Sequence, residues 1–243
     1  MGRITEVIKH LIIINVIFFI APQLLQAIDL QSLFALYLPE NPNFGFWQYL
    51  THIFMHGSVS HILFNMYGLW AFGTPLEQMW GKNKFIFFYF SAGLGAGLIY
   101  TAVNYFQFNG IYEQLVQLGL SSTDIQNILD TGKYNQQVVT LSAEELGKFY
   151  SLYHVPAVGA SGAVYGVLVA FGLSFPNSKL ALIFLPIPIA AKYFIPVMIF
   201  GDLFFGVTKY SIGNIAHFAH IGGALIGFII AWYWRNNQFK RWN

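Results

Sequence analysis

The sequence predicts an all-α membrane protein, a bundle of six transmembrane helices with both termini on the cytoplasmic side. Three observations carry this. First, 56% of the 243 residues are hydrophobic and only 9% are charged, against about 25% charged in soluble domains. Second, the mean hydropathy is +0.55, so the bilayer is the main solvent for this chain. Third, a span needs roughly 20 mostly apolar residues, and six segments qualify. They are about 8–28, 58–78, 84–106, 156–175, 189–207 and 216–235, all read directly from the residue pattern.

The first segment is too long for a removable signal peptide and lacks its small-residue cleavage site, so it reads as a true span. Orientation follows from the basic residues. With the N-terminus inside, the cytoplasmic flanks hold Arg3, Lys9, Lys82, Lys84, Lys179, Lys192, Arg235, Lys240 and Arg241. The outer side holds only Lys133, Lys148 and Lys209. Residues 29–57 form a long outer connection with Phe44, Phe46, Trp47 and Tyr49, rings that settle at a membrane interface. Residues 107–153 are the one markedly polar stretch, expected as an extramembrane insertion between the third and fourth spans. Within it Ser121 precedes Asp124 and Ser142 precedes Glu144 and Glu145, which predicts two capped, amphipathic helices. The chain reads as a single membrane domain over 1–243, without internal repeats. It has no basic run suited to nucleic acid, and the absence of cysteine agrees with an oxidising outer compartment.

Against this apolar background a few polar residues stand out. Ser161 lies in Gly159-Ala160-Ser161-Gly162, at the head of the fourth span. His220 lies in Ala219-His220-Ile221-Gly222-Gly223, at the head of the sixth. A hydroxyl or imidazole in hydrocarbon is costly without a partner, so each is a functional candidate; together they are the minimum parts for a serine nucleophile and its base. In the predicted topology His61, Ser161 and His220 share one depth, roughly 5–8 Å below the outer edge at 1.5 Å per residue. His61 and Asn65 are four residues apart on one helical face and are candidates to stabilise an oxyanion, with the Ser161 amide as a third donor. Gly162 with Gly166, and Gly223 with Gly227, are small-residue pairs that let the fourth and sixth helices approach closely. Tyr165, one turn after Ser161, is placed to stack on the imidazole.

Other readings compete with this one. A lone serine in a glycine-rich span is usually a packing residue, and a lone histidine at a helix end often satisfies a carbonyl. Four such residues at one level outweigh this. His217 competes with His220 as base, but the paired glycines beside His220 favour the latter. His52, His56 and His61 are candidate metal ligands, although no His-Glu-x-x-His motif is present. An aspartyl mechanism needs two carboxylates, and only Asp202 lies well inside a span. Asp202 reads as a structural or gating residue more readily than as the acid of a triad. A proton-coupled transporter would more naturally show interrupted helices and paired ionisable groups at the midplane.

Three motifs, His61-Ile62-Leu63-Phe64-Asn65, Gly159-Ala160-Ser161-Gly162 with Tyr165, and Ala219-His220-Ile221-Gly222-Gly223 with Gly227, resemble those of the rhomboid family of intramembrane serine proteases. The resemblance covers nearly the whole chain except 107–153. It implies a Ser161–His220 dyad without a required acid, oxyanion stabilisation by His61, Asn65 and the Ser161 amide, and no metal or organic cofactor. It also implies a six-helix bundle around a water-filled cavity open to the outer side. The implied substrates are single-span membrane proteins cut in or near their membrane segment. The expected location is a bacterial-type inner membrane, with multiple passes and the site facing the outer, periplasmic side. A non-proteolytic rhomboid-like protein that binds membrane clients is the alternative; that class usually lacks the dyad. Two departures stand out: the outer loop commonly carries Trp-Arg where this chain has Trp47-Gln48, and the 107–153 segment exceeds the family's minimal loop.

Overall fold

The computed structural model describes residues 3–182, 185–208 and 216–238. Lys209, Lys240 and Arg241, counted above for orientation, lie outside the described residues. With no water to satisfy amides in hydrocarbon, a spanning backbone must bond internally, and helices occupy all six apolar segments. They are α1 (Glu6–Leu24), α4 and α5 (Val59–Gly68 and Thr74–Trp80), α6 (Lys82–Gln117), α9 (Ser161–Ser174), α10 (Ala191–Val207) and α11 (His217–Gln238). By length and composition α1, α6 and α11 are each long and apolar enough to cross a bilayer. Their outward faces carry Ile13, Ile17, Phe87, Phe106, Phe228 and Ile229, all exposed, as expected of a chain dissolved in lipid. This is a membrane protein.

Two of these helix boundaries have an identifiable cause. The first turn of α1 is capped from a distance: the Glu77 carboxylate accepts from the amides of Val7 and Ile8, each at 3.1 Å, and from the Thr5 hydroxyl. A carboxylate there satisfies N–H groups that have no intrahelical partner and complements the helix dipole. Between α4 and α5 the run continues through a π-helical turn, Leu69–Gly73. Pro75 explains it, because its ring displaces the carbonyl one turn earlier and offers no N–H in return.

The third helix does not stop at 106. At 36 residues it is about 54 Å long, well beyond the roughly 30 Å of hydrocarbon. Its extension is held by a second core, in which Phe108, Ile111 and Leu115 of α6 pack with residues from α7 (Ser122–Thr131) and α8 (Ala143–His154). Phe108 and Phe149 stack with centroids 4.6 Å apart. Both predicted caps form: Ser121 with Asp124, and Ser142 with Glu145, each make reciprocal capping boxes.

The connection 29–57 contains α2 (Leu30–Phe34), α3 (Gln48–Thr51) and a 3-10 turn over His52–Phe54. Gln48, the residue that departs from Trp-Arg, is fully buried. Its carbonyl oxygen accepts from the Tyr37 amide, and its Nε2 donates to the backbone of Ser32 and of Asn43. The side chain therefore knits the connection together. Before α10 the chain forms an unforeseen antiparallel hairpin, β1 (Lys179–Leu182) with β2 (Leu185–Ala190), paired Lys179 to Ala190 and Leu180 to Ile189.

The centre of the bundle is α9, enclosed by α6 and α11. A side chain on Gly223 would begin 1.8 Å from the Gly162 carbonyl oxygen, and one on Gly227 would begin 2.5 Å from the Gly166 Cα. The two helices thus touch backbone to backbone at the glycines the sequence singled out. Gly223→Ala should cost about 1–3 kcal/mol through overpacking and lower the thermal unfolding midpoint in detergent. Gly201→Ala in α10, where a Cβ meets nothing within 4 Å, is the control and should leave the midpoint unchanged or raise it.

Candidate active site

Ser161 is the first residue of α9, so the fourth helix starts five residues later than the sequence suggests. The preceding stretch is extended: Ala157 bridges Leu36, and Gly159 has a φ of +128°. Pro156 and this left-handed glycine explain why the helix cannot start earlier. The late start matters chemically. The first amides of a helix have no intrahelical acceptor and sit at its positive end, so the Ser161 hydroxyl lies beside donors suited to an anion.

The glycine contacts between α9 and α11 bring Ser161 to His220. The His220 Nε2 lies 2.9 Å from the Ser161 Oγ. Tyr165 stacks on the imidazole, with ring centroids 4.2 Å apart and planes 11° from parallel. His217 does not occupy this place. Its Nδ1 lies 2.6 Å from Oδ1 of Asp202 on α10, and its ring packs on Phe205. The same Asp202 oxygen is 3.2 Å from the His220 Nδ1. Asp202 is thus in direct contact with the candidate base, which the preferred structural or gating reading did not place there. The signal was its position in the fifth segment, which the predicted topology puts close to the depth of the other polar groups.

His61 and Asn65 face the same region from α4. The Asn65 Nδ2 donates to the His61 carbonyl at 2.9 Å, which leaves its second N–H for another acceptor. A Cβ on Gly159 would sit 2.7 Å from the His61 Nε2 and 3.6 Å from the Ser161 Oγ. The missing side chain keeps open a small space bounded by the hydroxyl and the His61 ring. A cavity of about 1870 Å³ borders Ser161, His220, His61, Asn65 and Tyr165, and extends to Lys148 and Ser151 of α8.

His52 and His56 lie beside the site without touching Ser161. The His52 carbonyl accepts the Gly159 amide at 2.9 Å, which ties the connection to the extended stretch entering α9. The His56 ring lies edge-on to His61, centroids 5.0 Å apart. Among the described residues no group of three or more His, Cys, Asp or Glu side chains is arranged to hold a metal ion.

The fold and site define a helical membrane protein in which a serine and a histidine meet beside a large cavity. The profile of the Rhomboid domain family matches residues 43–123 and 129–237, and the chain belongs to the rhomboid family. It is 27% identical over 186 residues to Rhomboid protease GluP of Bacillus subtilis, covering 76% of this chain and 25% of that protein. It is 25% identical over 182 residues to mitochondrial Rhomboid protein 1 of Saccharomyces cerevisiae, covering 74% of this chain and 39% of that protein. It is 29% identical over 203 residues to the human Presenilin-associated rhomboid-like protein, mitochondrial, covering 78% and 39%. The matched regions therefore amount to between 25% and 39% of these relatives' lengths.

Burial holds both His52 and His56 down to about 4, from an ordinary value of 6.5. The unfolded chain therefore takes up protons below pH 6.5 that the folded chain refuses until about pH 4, and stability falls as pH drops through that window. The thermal midpoint in detergent should decline from pH 6.5 to 4, and His52→Gln should flatten the slope. A midpoint that is level across this range in both proteins would contradict the burial account.

Proposed function

We propose that this chain is an intramembrane serine protease that cleaves single-span membrane proteins in or near their transmembrane segment. The observation that carries the reading is the 2.9 Å approach of the His220 Nε2 to the Ser161 Oγ. Ser161 attacks the peptide carbonyl carbon while its proton passes to His220; the carbonyl π pair moves onto oxygen. His220 then returns the proton to the departing amine, and water releases the acyl group by the reverse sequence. His61, Asn65 and the Ser161 amide surround the oxyanion, where one donor typically contributes a factor of about 10²–10³ in rate.

The family membership and the relative named as a protease support this reading. The surrounding proposal follows the sequence: six crossings with both termini inside, in a bacterial-type inner membrane, and the cavity facing the periplasmic side. Residues 107–153 stand outside the hydrocarbon, an arrangement supported by the length of α6 and by the separate core that α7 and α8 build with it. Transmembrane substrates and the surrounding lipid are the expected partners.

Cleavage of a single-span test substrate in liposomes provides the check. Ser161→Ala and His220→Ala should reduce cleavage to background. His61→Ala and Asn65→Ala should each lower kcat by about 10²-fold or more. His217→Ala should leave measurable activity, since its imidazole contacts Asp202 rather than Ser161. Undiminished cleavage by Ser161→Ala overturns the assignment.

A further inference from the structure

Asp202 stands between the two histidines of α11. Its side chain is 9% exposed, and one oxygen, Oδ1, reaches the Nδ1 of His217 at 2.6 Å and the Nδ1 of His220 at 3.2 Å. An ionised carboxylate can only accept hydrogen bonds, so both Nδ1 atoms must carry the proton. A neutral imidazole has a single N–H. The His220 Nε2 is then left with a bare lone pair, directed at the Ser161 Oγ 2.9 Å away.

We propose that Asp202 is a positioning residue for catalysis, holding His220 in the one tautomer that can accept the Ser161 proton. This rests on the reading of Ser161 as nucleophile and extends it, because the family resemblance implies a dyad with no acid. Three side chains fix the imidazole. Asp202 of α10 holds one nitrogen, Ser161 of α9 meets the other, and Tyr165 covers the ring face. His217 is the second donor to the carboxylate. Its shorter bond anchors the Asp202 carboxylate. Its own Nε2 is buried without a hydrogen-bond partner among the described residues, so it has no rival claim on its position.

The proton inventory is simple. When Ser161 adds to the substrate carbonyl, the Oγ–H bond breaks and an Nε2–H bond forms. His220 becomes an imidazolium whose Nδ1–H already points at the carboxylate. Asp202 stays ionised throughout and stabilises that cation by charge; no proton moves to it. Without the carboxylate nothing prefers the Nδ1–H form, and the Nε2–H form presents a donor to the Ser161 hydroxyl. The effect therefore falls on turnover and leaves substrate binding alone, since Asp202 lies behind the imidazole.

Replacement by asparagine preserves size but offers a donor as well as an acceptor, which removes the tautomer constraint. Kinetics of the full chain on a single-span test substrate in liposomes provide the test, with thermal midpoints measured alongside. Asp202→Asn should lower kcat by about 10²–10⁴-fold, with KM within about twofold and an unchanged midpoint. Asp202→Glu keeps the charge at the cost of one methylene and should retain more kcat per folded molecule than Asp202→Asn. A space-filling role predicts the opposite order. The inference is overturned if Asp202→Asn turns over like the wild type, if only KM changes, or if asparagine outperforms glutamate. Ser161→Ala run in parallel separates the two readings. Activity in that variant sinks the protease assignment itself. Its inactivity beside a fully active Asp202→Asn sinks only the role given to Asp202.

Discussion

The backbone contact between α9 and α11 is the constraint on which the site depends. With Gly162 and Gly166 on one helix and Gly223 and Gly227 on the other, no side chain separates the two backbones. Helices in lipid gain nothing from hydrophobic exclusion, so close van der Waals contact along a small-residue seam is a main source of their cohesion. The same seam sets the separation of Ser161 and His220, each at the head of its helix. Stability and chemistry are coupled here: a methyl group that weakened the packing would also pull the hydroxyl away from the imidazole.

Around that seam, the structure handles the cost of polar groups in an apolar bundle by pairing them. Ser161, His220, Asp202 and His217 form one connected series, and Glu77 is occupied by the first turn of α1. Starting α9 at Ser161 rather than at Pro156 places the first-turn amides, which have no intrahelical acceptor, beside the hydroxyl. In water such amides would be solvated; next to a nucleophile they become donors for developing negative charge. Gly159 makes room for this, because any side chain there would collide with the His61 ring.

Much of this was legible in the sequence, and for identifiable reasons. Hydropathy located all six helical runs because lipid demands internally bonded backbone over a known length. The glycine spacing anticipated the α9–α11 contact, and Ser121 and Ser142 marked the starts of α7 and α8 through cap chemistry. The stacking of Tyr165 followed from its place one turn after Ser161. Where the reading departed from the fold, tertiary context was decisive. The end of the third helix at Gln117 depends on a core built with residues far along the chain. The hairpin before α10 falls largely between the fourth and fifth apolar segments, where the residue pattern assigned no element. The contact of Asp202 with His220 depends on the rotation of α10 against α11, which no spacing within either segment reveals. The glycines beside His220 favoured it over His217, but which imidazole meets Ser161 depends on that same rotation.

The central claim is that His220 activates Ser161 as a nucleophile, and active-site labelling tests it most directly. The protein in detergent would be treated with a fluorophosphonate and the modified residue located by mass spectrometry. The account predicts one adduct on Ser161, lost in His220→Ala and retained in His217→Ala. An unmodified Ser161 in folded protein, or labelling that persists unchanged without His220, would contradict it.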